Sequence, residues 1–156
     1  MKLVKLLSVC ALSIMFSACS STKDAGCSVS QPANTPGSPE DFKSCVKDRV
    51  FFDFDRSDIS TSAMETVKSQ AKWLTMYGCP KVVISGHTDK RGTRDYNLSL
   101  GERRANALKM ALVNEGVKAD RIHVVSYGKE KTVVEGNNER AYAENRVSIT
   151  AVGGEK

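Results

Sequence analysis

Asp89 and Arg104 are the two residues whose types and spacing point most directly to chemistry. Asp89 follows a β-branched run at residues 82–84, which is typical of a buried strand. Arg104 lies in the first turns of a helix predicted from the capping-box sequence Ser99-Leu100-Gly101-Glu102. The Asp89 carboxylate can accept hydrogen bonds from an ammonium, and the Arg104 guanidinium can bind a carboxylate through two N–H groups. The pair therefore suits a ligand that carries both an ammonium and a carboxylate. The alternative is that the two side chains pair with each other or lie on a solvated face.

The elements that must position these residues follow a regular alternation. Strands are predicted at residues 49–55, from 82, at 122–128 and at 146–152, and helices from Thr61, from Ser99 and at residues 138–145. The order is β-α-β-α-β-α-β. Right-handed crossovers and short connections predict an α+β fold, a sandwich of a mixed sheet with helices packed on one face. His123 alternates with the apolar positions of its strand and is expected on the exposed face.

Residues 1–18 have the pattern of a secretory leader. A positive start is followed by an apolar run at residues 6–16 that is too short to span a bilayer. The segment ends in Ser17-Ala18-Cys19, which resembles the bacterial lipobox, so Cys19 is predicted to carry lipid. By the same resemblance, Ser20 in the next position implies sorting to the outer membrane. The alternative is an ordinary cleavage site beside a chance cysteine.

Residues 19–44 are predicted to be the lipidated N-terminus and a flexible tether, because the segment is rich in small polar residues and proline and lacks an apolar period. Residues 45–156 are predicted to form one domain. Export implies an oxidising compartment, in which a disulfide between Cys45 and Cys79 is predicted and Cys27 is left over.

Several functional classes lack support in the sequence. Without its leader the chain would carry a formal charge of about +3, too slight and too interspersed to indicate nucleic-acid binding. The cysteines lack metal-ligand spacing, and no cofactor motif is present. Residues 50–55 invite comparison with the nucleophile motif of haloacid-dehalogenase-type phosphatases, but the partners of such a site are missing. Asp53 and Asp55 are therefore interpreted as a solvated strand edge or as a cap for the next segment. The chain is not expected to be an enzyme.

Three longer motifs carry a resemblance to a known family. FFDFDRSDI, GHTDKRGTRDYNLSLGERRANALK and VSYGKEK, in this order between about residues 50 and 152, resemble the OmpA-like peptidoglycan-binding family. With the lipobox they are most similar to its lipoprotein branch, which works in the Tol–Pal system. The resemblance implies noncovalent binding of diaminopimelate in the peptidoglycan stem peptide. By position it implies these site residues: Phe54, Asp55, Asp89, Asn97, Leu100 and Arg104.

The resemblance also implies a cellular role. A lipoprotein of this branch would tether the outer membrane to the cell wall from the periplasmic side, with TolA and TolB as partners, and serve envelope integrity and cell division. The alternative is an exported module whose main ligand is a periplasmic protein. The family often has a second arginine in its last motif, but Val147 follows Asn145-Arg146 here, so no role is assigned to Arg146.

Overall fold

The computed structural model describes residues 35–78 and 81–153, which form four helices and four strands with a short 3₁₀ turn before the third strand. None of the helices in this part of the chain combines the length and apolarity that crossing a membrane requires. The elements are α1 (Pro39–Cys45), β1 (Arg49–Phe51), α2 (Thr61–Met76), β2 (Val82–His87), α3 (Arg94–Asn114), β3 (Ile122–Gly128), α4 (Glu139–Asn145) and β4 (Val147–Val152).

The four strands form one mixed sheet in the order β1-β4-β2-β3. β2 and β3 run parallel, joined through α3, whereas β4 lies antiparallel between β1 and β2. This register sets Gly86 opposite Ser148, so the end of β2 and the start of β4 are neighbours. The prediction of an α+β fold with a mixed sheet is confirmed.

Helices α2 and α3 pack on one face of the sheet and close the core. Val82 and Ile84 of β2 are fully buried, together with Leu74 of α2 and Leu108 of α3. Gln70 in α2 is also buried, and its amide is satisfied by the Lys47 carbonyl and the Thr150 hydroxyl. Residues on the opposite face are less buried, and His123 is exposed as predicted.

Helix α1 was not predicted, because it lies within residues 19–44, the segment interpreted as a flexible tether. Ser38 caps the helix by accepting from the Asp41 N–H, and Pro39 occupies its first turn, where a missing N–H costs nothing. Phe42 is 1% exposed and packs edge-on against Trp73. The prediction of flexibility is therefore wrong for residues 39–44; residues 19–34 lie outside the described residues.

Three other boundaries differ from the prediction, at the end of β1, the end of β2 and the start of α3. β1 ends at Phe51 instead of residue 55, so the strand carries fewer residues than its hydrophobic pattern suggested. β2 continues to His87, and α3 begins at Arg94 with Thr93 as its cap, five residues before the predicted capping box at Ser99. Arg104 therefore lies about three turns into α3, not in its first turns.

The cysteine predictions fall mostly outside the described residues. Cys45 ends α1, and its exposed thiol donates to the Asp41 carboxylate at 3.3 Å. Cys79 is not among the described residues, so its pairing with Cys45 stays a prediction. The leader, Cys19 and Cys27 are likewise outside this range.

Candidate functional site

A cleft of about 190 Å³ opens at the end of β2, beside the first turns of α3 and the segment that follows β1. All six residues predicted to bind a ligand line it, so the structure brings together what the sequence placed up to 50 positions apart. The cleft is lined by Phe54, Asp55, Thr88, Asp89, Arg91, Gly92, Tyr96, Asn97, Leu100 and Arg104.

Asp89 supplies a carboxylate that is almost entirely shielded from solvent. The residue is 5% exposed, and both carboxylate oxygens accept from Arg91, Oδ2 from Nη2 at 2.7 Å and Oδ1 from the main-chain N–H at 3.1 Å. Burial acts to raise the pKa of Asp89, but the two hydrogen bonds from Arg91 and the positive charges of Arg91 and Arg146 together outweigh it, so the pKa lies below its ordinary value. Asp89 is therefore ionised at neutral pH.

Arg104 forms the floor of the cleft and exposes none of its surface. Its guanidinium donates to three main-chain carbonyls: Nε to Arg56 at 2.8 Å, Nη1 to His87 at 3.1 Å and Nη2 to Asp53 at 3.0 Å. Burial lowers the pKa of Arg104 to about 10, so the group stays charged at neutral pH. Arg104 also ties β2 to the segment after β1, a structural role that the sequence did not predict.

Asp89 and Arg104 do not pair with each other, which was the alternative interpretation of their charges. Asp89 belongs instead to a ring of four charges. Its Oδ2 lies 2.7 Å from Arg91 and 3.6 Å from Arg146, and Glu139 closes the ring, with Oε2 3.5 Å from Arg91 and Oε1 3.0 Å from Arg146. Two positive and two negative groups alternate, so the ring is neutral as a whole.

Sequence reasoning assigned no role to Arg146 and left Arg91 out of the site. Arg146 immediately precedes β4, and the antiparallel pairing of β4 with β2 brings it beside Asp89. That register would have located Arg146, but it cannot be read from the sequence. Arg91 stood two residues after Asp89, where a side chain can turn back onto the carboxylate. The two-residue spacing is visible in the sequence, but it does not show which way the side chain turns.

The wall of the cleft is built by residues at the start of α3 and after β1. Asp55 has a φ of 57°, a left-handed conformation that aspartate tolerates better than most residues, and its carboxylate accepts from the Tyr96 hydroxyl. The Asn97 amide donates to the carbonyls of Arg91 at 2.6 Å and Thr93 at 2.9 Å, which fixes the loop between β2 and α3. Leu100 is buried behind them.

The cleft has no feature of a metal centre. Within residues 35–78 and 81–153, no group of three or more His, Cys, Asp or Glu side chains is placed to hold a metal ion. Asp53, the first acid of the phosphatase-like pattern, is exposed and does not line the cleft. Thr88 has a buried hydroxyl for which the described residues provide no hydrogen-bond partner, although the residue lines the cleft.

Comparison with known proteins places this geometry in a family. The model of the OmpA family matches residues 51–146. The chain is 41% identical to the peptidoglycan-associated lipoprotein of Rhizobium meliloti over 148 residues, covering 92% of this chain and 84% of the relative. The chain belongs to the OmpA family, among the peptidoglycan-associated lipoproteins. The corresponding protein of Agrobacterium fabrum is 45% identical, with 77% of this chain and 68% of that one covered.

Solved structures agree with the family. The crystal structure of the peptidoglycan-associated lipoprotein from Burkholderia pseudomallei superposes with a TM-score of 0.67 at 36% identity, covering 76% of this chain and 97% of that one. The C-terminal domain of Helicobacter pylori MotB gives a TM-score of 0.64 at 17% identity over 69% of this chain and 85% of that domain, which shows a shared fold alone. The predicted OmpA-like fold is confirmed.

Proposed function

We propose that this chain binds the diaminopimelate-containing stem peptide of peptidoglycan noncovalently and does no chemistry on it. The observation that carries the proposal is a single cleft with a shielded carboxylate, Asp89, and a buried guanidinium, Arg104, in its lining. Diaminopimelate carries an ammonium and a carboxylate on one carbon, so it offers both complementary charges at short range. The name of the relatives, peptidoglycan-associated lipoprotein, supports this ligand class.

Each charged group has a defined part in this binding. The ligand's ammonium would donate to the Asp89 carboxylate, which stays ionised at neutral pH. Arg104 has five N–H groups, of which three donate to carbonyls, so one on each Nη remains for a ligand carboxylate. Asp55, Asn97 and Phe54 would shape the cleft around the two charged groups of the ligand.

The proposal extends to the location of the chain. The leader-like segment and Cys19, together with relatives that are named lipoproteins, support a lipid anchor in the outer membrane with the folded part in the periplasm. Many anchored copies facing one wall would act together through their effective concentration, so modest affinity at each cleft would suffice. TolA and TolB are the proposed protein partners, through which the tether would serve envelope integrity and cell division.

A periplasmic protein as the main ligand is the second candidate. Phe54 and Tyr96 stand at the cleft with 59% and 46% of their surface exposed. Exposed aromatic side chains are the type that protein interfaces bury at their centre. Failure to bind the wall would favour this candidate.

Cosedimentation with purified sacculi tests the proposal. The full chain in detergent is mixed with sacculi that contain diaminopimelate, and with sacculi that contain lysine in its place. We expect sedimentation with the first only, and its loss in Asp89→Asn, which removes the charge and keeps the shape. Asp95→Asn is the matched control, because Asp95 has an exposed side chain outside the cleft. Equal sedimentation of Asp89→Asn and the wild-type chain would refute the site.

A further inference from the structure

Arg91 already occupies the carboxylate to which a ligand's ammonium would bind. Its Nη2 lies 2.7 Å from Asp89 Oδ2, and its main-chain N–H is 3.1 Å from Oδ1. Arg91 also lines the cleft. A ligand ammonium that enters the cleft therefore finds the Asp89 carboxylate already paired with the Arg91 guanidinium.

The surroundings of the Arg91 guanidinium are those of a general cation site. Its central carbon lies 4.3 Å from the centre of the Phe54 ring and 4.6 Å from that of Tyr142, within the range of cation–π attraction. Glu139 adds a second carboxylate at 3.5 Å. Two aromatic faces and two acids attract any organic cation, so an ammonium can also bind there.

The Arg91 side chain can leave this site while its main chain stays in place. Asn97 holds the Arg91 carbonyl at 2.6 Å, which fixes the loop, whereas the Arg91 side chain is 39% exposed. The Asp89 carboxylate of this pair is shielded, but the Arg91 guanidinium is open to solvent, and Glu139 remains as its partner after Asp89 is released. Arg146 differs, since it is only 11% exposed and also donates to the Phe52 carbonyl at 3.3 Å. Of the two arginines in the ring, Arg91 is therefore the more exposed and the better placed to move.

We propose that Arg91 determines the specificity of the cleft by standing in for the ligand's ammonium on Asp89. The inference rests on the proposed function and deepens it. Binding is then an exchange of one cation for another, which keeps the shielded Asp89 charge paired before and after. A ligand whose amine is acylated brings no cation, so it would leave Asp89 with only the Arg146 guanidinium, 3.6 Å away, if it displaced Arg91. The exchange thus selects stem peptides whose diaminopimelate amine is free.

Calorimetry on the full chain in detergent tests this exchange. The probe is the disaccharide tetrapeptide released from diaminopimelate-containing sacculi by a muramidase, used with its amine free or acetylated. We expect wild type to bind the free form only. Arg91→Met removes the competing cation and keeps the length of the side chain, so we expect it to bind the free form about 10-fold more tightly, as when a closed site becomes fully available. Arg94→Met, which removes an exposed charge outside the cleft lining, should match wild type.

The outcomes separate this inference from the proposed function. If wild type binds the free probe and Arg91→Met binds it equally or less well, Arg91 is not a competitor and the inference is overturned alone. If neither protein binds either form, the proposed function falls and takes the inference with it. A second readout uses wild type alone: the Arg91 Nε–H resonance, shifted by the two stacked rings, should move when the free probe saturates the cleft. A resonance that stays in place at saturation would also overturn the exchange.

Discussion

Gly86 of β2 and Gly101 of α3 touch main chain to main chain. A Cβ atom on Gly86 would lie 1.9 Å from the Gly101 carbonyl oxygen, a distance that no side-chain shift can relieve. The two glycines let α3 lie directly on the end of β2, and Arg104 follows one turn later on the same helix. The floor of the cleft therefore depends on the absence of two side chains.

Gly86→Ala should destabilise the fold by about 3 kcal/mol, because the added methyl group forces the helix from the strand. Urea unfolding followed by circular dichroism measures this. Gly78→Ala is the control, since a Cβ there meets nothing within 4 Å, and it should be neutral. A Gly86→Ala protein as stable as the control would show that α3 can shift at little cost.

Arg104→Lys should lower the free energy of unfolding by about 2 to 4 kcal/mol, although the charge is kept. A lysine ammonium cannot reach three carbonyls in the planar arrangement that the guanidinium uses, so buried acceptors lose their donors. Arg103→Lys, at an exposed neighbouring position, is the control. The same urea titration measures both variants.

This expectation changes how binding data on Arg104 should be judged. Lost binding in an Arg104 variant assigns a ligand contact only where the variant remains folded. Unchanged stability in Arg104→Lys would mean that the three carbonyl contacts contribute little, and that the arginine is retained for the ligand.

Asp55→Ala should be less stable than Asp55→Asn by about 1 kcal/mol. Asparagine tolerates the left-handed conformation at φ 57° and still accepts from the Tyr96 hydroxyl, whereas alanine does neither. Thermal unfolding of the two variants beside wild type gives the comparison. Equal stability of the alanine and asparagine variants would contradict a strained conformation at Asp55.

His87 should make the fold sensitive to mild acid. Its Nδ1 lies 2.8 Å from the Lys131 carbonyl, so the neutral ring carries its proton there and Nε2 can accept from Ser85. Burial lowers the pKa of His87, despite the hydrogen bond to Lys131, while the positive charges of Lys131 and Arg49 act in the same direction as burial. The unfolded chain then takes up a proton first as pH falls below about 6.5.

The stabilising contribution of neutral His87 is therefore complete above about pH 6.5 and is lost as pH falls through the lower folded-state pKa. We expect urea midpoints of wild type to decrease from pH 7.5 to pH 5, and those of His87→Gln to decrease less. His123→Gln, at the exposed histidine, should follow wild type. Parallel pH profiles for wild type and His87→Gln would exclude His87 as the source of the acid sensitivity. Asp89 acts in the same direction at lower pH, because its pKa is also depressed.

The parts of the fold that the sequence predicted best are those with a strong hydrophobic period. β3 has the predicted bounds at residues 122–128, and β2 begins where its β-branched run begins. Helix α1 was not predicted because Phe42 is the buried residue among its seven, and one apolar residue creates no hydrophobic period. The start of α3 was missed because Thr93 and the residues that follow are polar, and only the geometry shows which hydroxyl caps the helix.

The six predicted residues share one cleft, but the network of contacts among the residues of the cleft was not predictable. Residue types and family motifs pointed to Asp89 and Arg104 and to the four residues that line the cleft with them. The partners of Arg104 are main-chain carbonyls, which leave no trace in residue identity. Arg146 reaches Asp89 only through the antiparallel register of β4, a long-range feature that local patterns do not encode.

Helix α1 has a mechanical consequence for a chain that is anchored at one end and bound at its cleft. Tension from the N-terminal side reaches α1 before any strand, and it must first draw Phe42 from its contact with Trp73. Unwinding these seven residues would lengthen the chain by about 13 Å while the sheet and the cleft remain intact. β1, a three-residue strand at the edge of the sheet, bears load only afterwards. The short helix would thus unfold before the sheet when the distance between membrane and wall increases, and refold when that distance decreases.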